Sequence, residues 1–169
     1  QSGSNRILDL MGRSYTVEHY MKIIESIKNI IPEASISTDI ISGFCTETDD
    51  DHNLTLDIMK EVKYDGAYMF KYSPREKTKA WNMKDDVAEE TKTRRLMEII
   101  ELQSNIALKK NTLLVGKSFE IIVEGISKKN SEMVSGRTDG NKAVIIPKNG
   151  FIRGDKILIK VNQFIPISC

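Results

Sequence analysis

Residues that commonly carry chemistry are scarce in this 169-residue chain, which holds two cysteines, two histidines and one tryptophan. Cys45 and Cys169 are too few and too far apart for a disulfide framework or a structural zinc site. A small disulfide-stapled secreted domain is excluded, and a reducing, cytoplasmic compartment is the expectation. His19 and His52 fall on predicted helices with no cysteine or carboxylate at ligand spacing, so neither is expected to bind a metal. No apolar run approaches the roughly 20 residues that cross a bilayer, and no membrane partner is expected. The opening Gln1-Ser2-Gly3-Ser4-Asn5 has no initiator Met and no basic or apolar leader, which reads as a cut inside a longer chain.

Charge is balanced overall, with 25 Lys and Arg against 24 Asp and Glu, but not along the chain. From Lys110 onward eight Lys and two Arg face two Asp and three Glu, a surplus of five positive charges; the first 109 residues carry four net negative ones. A short basic module on an acidic body is the pattern expected when one part holds a polyanion.

Hydrophobic periodicity divides the chain. Val17, Tyr20, Met21, Ile24, Ile27, Ile30 and Ile31 mark a helix capped by Thr16 and stopped by Pro32. Ser35 to Phe44 reads as a buried strand closed by Gly43. Asp49-Asp50-Asp51 opens a helix with Leu54, Ile58, Met59 and Val62 inward, and Ala67 to Tyr72 is a second strand. Strand, helix and strand make the crossover unit of a parallel sheet. Residues 73 to 86, with Trp81, are an excursion loop, and a helix runs from about Val87 to Lys109. After Asn111 the period becomes two, giving four or five short strands separated by Gly125, Asp139-Gly140-Asn141, Asn149-Gly150 and Gly154-Asp155. That meander predicts a small five-stranded barrel of the OB type. The expected fold is thus α/β over residues 1–110 and all-β over 111–169.

Cys45 has no His nearby to activate it and is expected to be inert. Asp39, a carboxylate within an apolar strand, calls for a hydrogen-bond partner or a ligand. Ligands in parallel α/β units sit at strand ends, where Gly43-Phe44-Cys45-Thr46-Glu47-Thr48 and Phe70-Lys71-Tyr72-Ser73 lie. Gly43 permits close backbone approach, Lys71 suits an anion and Tyr72 offers a ring.

The segment Gln1-Ser2-Gly3-Ser4, Leu8-Asp9-Leu10-Met11, Arg13-Ser14-Tyr15 resembles the signature of the methylthiotransferases, which are radical S-adenosylmethionine (SAM) enzymes. The likeness continues through Ser37-Thr38-Asp39-Ile40-Ile41-Ser42-Gly43-Phe44, Met69-Phe70-Lys71-Tyr72-Ser73, and Gly116-Lys117 with Val123-Glu124-Gly125 of a TRAM domain. Ser-Thr-Asp-Ile-Ile and Met-Phe-Lys-Tyr-Ser look most like the MiaB-type branch, which methylthiolates carbon 2 of N6-isopentenyladenosine beside the tRNA anticodon. Two departures stand out: Cys45-Thr46-Glu47-Thr48 replaces the family's Pro-Gly-Glu-Thr, and the usual Arg-Pro-Gly-Thr after the Tyr-Ser is altered to Pro74-Arg75-Glu76-Lys77-Thr78.

The resemblance implies part of a radical SAM barrel followed by a TRAM barrel, with SAM and two 4Fe-4S clusters in the whole enzyme. No cysteine motif for a cluster is present in this chain, so it is expected to be inactive alone, to hold no catalytic residue and no metal, and to need the rest of the protein and a reductant protein. Ser2, Ser4, Arg13, Asp39, Gly43 and Phe44 are assigned to SAM, and Phe70, Lys71 and Tyr72 to the nucleoside. Lys117, Lys128, Lys129, Arg137, Lys142, Lys148 and Arg153 are assigned to the phosphates of the tRNA anticodon stem-loop. A non-catalytic RNA-binding module is the competing reading, as is a methylthiotransferase for threonylcarbamoyladenosine in tRNA or for a ribosomal protein. Unpaired strand edges suggest that the isolated chain dimerises.

Overall fold

The structure, a computed structural model, describes residues 1–164, so Cys169 lies outside the described residues. Two compact units divide the chain, residues 1–108 and the part from Lys109 onward.

The first unit begins with two helices, α1 (Asn5–Leu10) and α2 (Val17–Ile30). Strand β1 (Ser37–Ser42), helix α3 (Asp49–Val62) and strand β2 (Gly66–Lys71) follow, then a 3₁₀ turn over Lys79–Asn82 and the long helix α4 (Glu89–Thr112). Polar caps set the helix starts. Thr16 accepts from the His19 N–H, and Thr48 and Asp51 form a reciprocal capping box on α3. Strands β1 and β2 pair in parallel, from Ser37 opposite Gly66 to Ser42 opposite Lys71. A parallel pair needs a crossover, which α3 supplies.

Ile24, Ile40, Ile58, Met59, Val62, Tyr64, Ile99 and Ile106 form the main core. The buried Tyr64 keeps its polar groups satisfied: its hydroxyl meets that of Tyr20 at 2.8 Å, and its carbonyl accepts from Gln103 Nε2 at 3.0 Å. Burial pushes the Tyr64 phenol far above its ordinary pKa.

Some details differ from the sequence pattern. Leu54, expected inward, is 48% exposed, because Asp51, Thr55, Ile58 and Val62 define the buried stripe of α3 and Leu54 lies roughly a quarter turn away. His52 is buried, with Nε2 2.7 Å from Glu98 Oε2 of α4, a partner that local spacing does not reveal. Asp39 is exposed, so it has no burial to compensate. Among the described residues no helix is long and apolar enough to cross a membrane.

The second unit contains β3 (Ser118–Ser127), β4 (Asn130–Thr138), β5 (Ala143–Pro147) and β6 (Lys156–Lys160). They form a curled antiparallel sheet in the order β5-β4-β3-β6, with four strands among the described residues where a five-stranded barrel was expected. A register shift between Val123 and Gly125 places a bulge in the central strand, the device that bends a sheet. Ile121, Val123 and Val134 fill the concave side. Gly136 has no room for a side chain there: a Cβ would lie 2.7 Å from the Ile122 carbonyl oxygen.

Replacing Ile40, 1% exposed in the main core, with Ala is expected to cost about 2–5 kcal/mol in urea unfolding, whereas Ile30→Ala, at a site 79% exposed, is expected to change stability by less than about 0.5 kcal/mol.

Candidate functional site

The opening segment folds into a clasp on α3. Gly3 donates its N–H to Thr55 Oγ1 at 2.9 Å, and Ser2 Oγ meets the same oxygen at 3.3 Å. Gly3 packs so closely that a Cβ would lie 2.0 Å from the Leu54 carbonyl oxygen, which only glycine tolerates. Ser4 caps α1 by accepting from the Ile7 N–H, and donates its own hydroxyl to Asp51 Oδ1 at 2.5 Å. Asp51 also receives Arg6 and both the N–H and hydroxyl of Thr48, at 2.9 and 2.8 Å. Burial alone favours the neutral carboxyl, but these donors together outweigh it and hold Asp51 well below the usual carboxylate range.

At the C-terminal end of β1, Gly43 turns the chain at φ +73°, and a Cβ on it would lie 2.3 Å from Lys92 Cγ. Its N–H donates to Glu47 Oε2 at 2.6 Å, and Arg95 Nη1 holds the same carboxylate at 3.0 Å. Burial raises the Glu47 pKa despite these two donors. Lys92 is buried beneath the loop, bonded to Asp85 at 2.6 Å and Glu89 at 3.0 Å, with Nζ 5.7 Å from the Tyr72 ring centroid. Phe44 and Tyr72 meet edge to face with centroids 4.9 Å apart, and Tyr72 donates to the Ala80 carbonyl at 3.3 Å. Burial, with Cys45 beside it, pushes the Tyr72 phenol up to about 12.

The opposite face of the two-stranded sheet is covered at Ile41, which packs against a second cluster of Ile7, Phe44, Cys45, Tyr72 and Ala80, and is open at Tyr68 and Phe70. Ile40 and Ser42 of β1 turn inward, as Ala67 and Met69 of β2 pack against the main core. Asp39 and Ile41 therefore share the other face with Tyr68, 64% exposed, and Phe70, 54% exposed. Asp39 lies opposite Tyr68, and Ile41 opposite Phe70. Lys71 reaches Glu89 Oε2 at 3.0 Å. Arg13, with Asp9, Ser14, Tyr15 and His19, lines a shallow hollow between α1 and α2.

In the second unit the basic residues collect at the two ends of the sheet. Lys117 precedes β3, and Arg137 and Lys142 flank the β4–β5 turn, all near one end. Lys128 and Lys129 form the β3–β4 turn at the other end, where Lys148 donates its N–H to the Glu132 carbonyl at 2.9 Å. Arg153 belongs to neither end, since its neighbour Gly154 donates to the carbonyl of Val123, in the middle of β3, at 2.8 Å.

Residues 113–164 match the TRAM domain family. Nearly the whole chain, 96% of it, aligns with tRNA-2-methylthio-N6-dimethylallyladenosine synthases: that of Azobacteroides pseudotrichonymphae genomovar. CFP2 at 49% identity, and that of Karelsulcia muelleri (strain GWSS) at 50%. The synthase of Flavobacterium johnsoniae is 48% identical over the same share. Both units are thus similar to these synthases, and the second matches the TRAM domain. The chain spans between 34% and 36% of the length of these relatives.

Within this chain, the residues assigned to SAM fall into two groups. Ser2, Ser4, Gly43 and Phe44 are buried, with the serine hydroxyls and the Gly43 N–H bonded inside the chain; Arg13 and Asp39 are exposed. Of the nucleoside set, Phe70 and Lys71 are exposed and Tyr72 is buried, so its ring packs on Phe44 and presents no open stacking face. Glu47, Asp51, Lys92, Arg95 and Tyr68 were missed. Alternation along β2 was the signal for Tyr68, while the others are charged residues on inward helical or loop positions that hydrophobic periodicity does not reveal.

Both departures from the family pattern fall on backbone that glycine favours. Thr46 stands where the pattern has glycine and adopts φ +64°, and Lys77 does the same at φ +66°. Thr46 is restrained by Arg6, through its hydroxyl at 2.9 Å and its carbonyl at 2.7 Å, and by Asp86, which accepts its N–H at 2.7 Å. Lys77→Gly is expected to raise unfolding stability by about 1 kcal/mol by relieving the left-handed strain. Because Asp51 is depressed below its unfolded value, its contribution is present above about pH 4 and is lost as pH falls through that range. Stability measured from pH 6 to pH 3 is therefore expected to drop more steeply in the wild type than in Asp51→Asn; Glu47 opposes this in both, less so in the variant, which lacks the Asp51 charge that helps raise it.

Proposed function

We propose that this chain forms one wall of the SAM and nucleoside pocket, and the RNA seat, of a tRNA methylthiotransferase acting on carbon 2 of N6-isopentenyladenosine beside the anticodon. The observation that carries this reading is the unbroken similarity of both units to synthases named for that product. SAM supplies a primary-carbon radical in such enzymes, and a radical of that kind takes whichever hydrogen it meets. The protein's task is to hold cofactor and base in place and to keep water out.

On this reading the open sheet face serves the pocket. Asp39 accepts hydrogen bonds there and Phe70 and Tyr68 offer apolar rings, while Lys71, at the strand end on the other face and held by Glu89, adds positive charge beside the nucleoside. Arg13 is the charge-assisted partner for the SAM carboxylate. Ser2, Ser4, Gly43, Phe44 and Tyr72 act behind that surface by fixing the strand ends and the clasp. Lys117, Lys128, Lys129, Arg137, Lys142, Lys148 and Arg153 provide the phosphate-contacting set. The described residues include no group of three His, Cys, Asp or Glu able to hold a metal, so they do not fit a 4Fe-4S cluster. Cluster ligands and the docking site of the reductant protein are assigned to the rest of the enzyme, working in the cytoplasm.

Mass spectrometry of tRNA from cells lacking the gene tests this. Loss of 2-methylthio-N6-isopentenyladenosine with accumulation of N6-isopentenyladenosine is expected. An unchanged level of that base, with loss of another methylthio modification, would transfer the activity to a different target; no change in any modification would leave a binding module.

A further inference from the structure

Trp81, the one tryptophan of the chain, is 47% exposed on the 3₁₀ turn over Lys79–Asn82 and lies outside both hydrophobic clusters of the first unit. Its neighbours explain that exposure. With three residues per turn, Ala80 and Met83 share one side, and both pack with Ile7, Phe44, Cys45 and Tyr72. Trp81 is left a third of a turn away. Tyr72, just beyond β2, donates its hydroxyl to the Ala80 carbonyl at 3.3 Å, which seats the turn over the end of that strand, where ligands of parallel α/β units gather.

The loop around this ring is nearly balanced in sequence, with Arg75, Lys77, Lys79 and Lys84 against Glu76, Asp85 and Asp86. Folding separates the two signs. Asp85 accepts from the buried Lys92 Nζ at 2.6 Å, and Asp86 accepts the Thr46 N–H at 2.7 Å, so both carboxylates are engaged by the body of the unit. The four cations are all exposed, and among the described residues none of their side chains has a hydrogen bond or an ion pair. Glu76 is the remaining carboxylate, exposed and likewise without a partner among the described residues. Four uncommitted cations therefore stand against one uncommitted anion. The segment is also braced from within, since the N–H and hydroxyl of Thr78 both reach the Arg75 carbonyl, at 3.4 and 2.8 Å. A platform fixed in this way loses little further freedom when a ligand settles on it.

An exposed indole among free cations has the chemistry that holds single-stranded nucleic acid: a base stacks on the ring while the cations meet its phosphates. A duplex keeps its base faces stacked on one another and offers none to the ring. We propose that the 75–84 loop is a contact for an unpaired stretch of RNA, in which Trp81 stacks on one base and Arg75, Lys77, Lys79 and Lys84 take the adjoining phosphates. The contact rests on the RNA reading above and adds to it a docking point that belongs wholly to the first unit.

Because Trp81 is the only tryptophan, its fluorescence reports on that ring alone. The full 169-residue chain is titrated with single-stranded tetra-adenylate, with a blunt RNA duplex and with polyglutamate, while anisotropy follows a labelled anticodon stem-loop in parallel. Tetra-adenylate is expected to quench Trp81 saturably, with a log–log salt slope of about −2 for three phosphates, and the duplex to act at least about tenfold more weakly. Combining Lys77→Gln, Lys79→Gln and Lys84→Gln should weaken the quenching isotherm about tenfold and flatten its salt slope with unchanged circular dichroism. Combining Lys128→Gln with Lys129→Gln should leave it within about twofold. Stem-loop binding without any quench by tetra-adenylate, an equal quench by the duplex or by polyglutamate, or indifference to the triple substitution overturns the inference while the RNA reading stands. Failure of the wild-type chain to bind any of the RNAs overturns both.

Discussion

The carboxylate of Asp51 collects donors from three stretches of chain that are remote in sequence. Ser4 delivers the start of α1, Arg6 its first turn, and Thr48 the cap of α3. Each of these groups has its own local duty as well, since Ser4 caps one helix and Thr48 the other. Removing the charge at Asp51 would leave several donors inside the fold with no acceptor, which costs more than the loss of one hydrogen bond. The close seat of Gly3 on the α3 backbone depends on the same docking, and so does the course of the chain that leads to Arg13.

The end of β1 depends on a similar exchange between buried charge and backbone. Glu47 takes the Gly43 N–H and is itself held by Arg95, while the stem of Lys92 fills the space that a side chain at position 43 would need. Charged groups are thus used here as internal braces, each partnered, and the exposed surface is left to Asp39, Tyr68 and Phe70. The division of labour is physical: an inner layer fixes backbone geometry, and an outer layer is free to meet a ligand.

Much of this was legible in the residues. The period of 3.6 located α2, α3 and α4, polar caps at Thr16 and Thr48 marked two of the starts, and alternation marked the strands of the second unit. The helix α1 escaped notice because six residues are too few to establish a period. Lys92 and Arg95 lie on the buried side of α4 together with Ile99, Gln103 and Ile106, so a reading that equates charge with solvent assigns the two cations to the wrong face. Ser2 and Ser4 show the reverse difficulty. A motif carries a resemblance, but only the fold shows that its hydroxyls are turned inward in this chain. The residue types at Thr46 and Lys77 gave no sign of left-handed backbone, because threonine and lysine are poor markers of that conformation; the family's glycines at those places were the better guide.

The connectivity of the second unit governs how it must form. Strands β3 and β4 are neighbours along the chain, and their hairpin needs only the turn at Lys128 and Lys129. The other side of β3 is completed by β6, with Ser118 opposite Lys160, so the closing contact joins segments far apart in sequence. Such distant pairings form slowly, since a long loop must be ordered before they are rewarded. During vectorial synthesis on the ribosome β6 emerges last of the four strands, and the nascent β3 edge stays uncovered until it arrives.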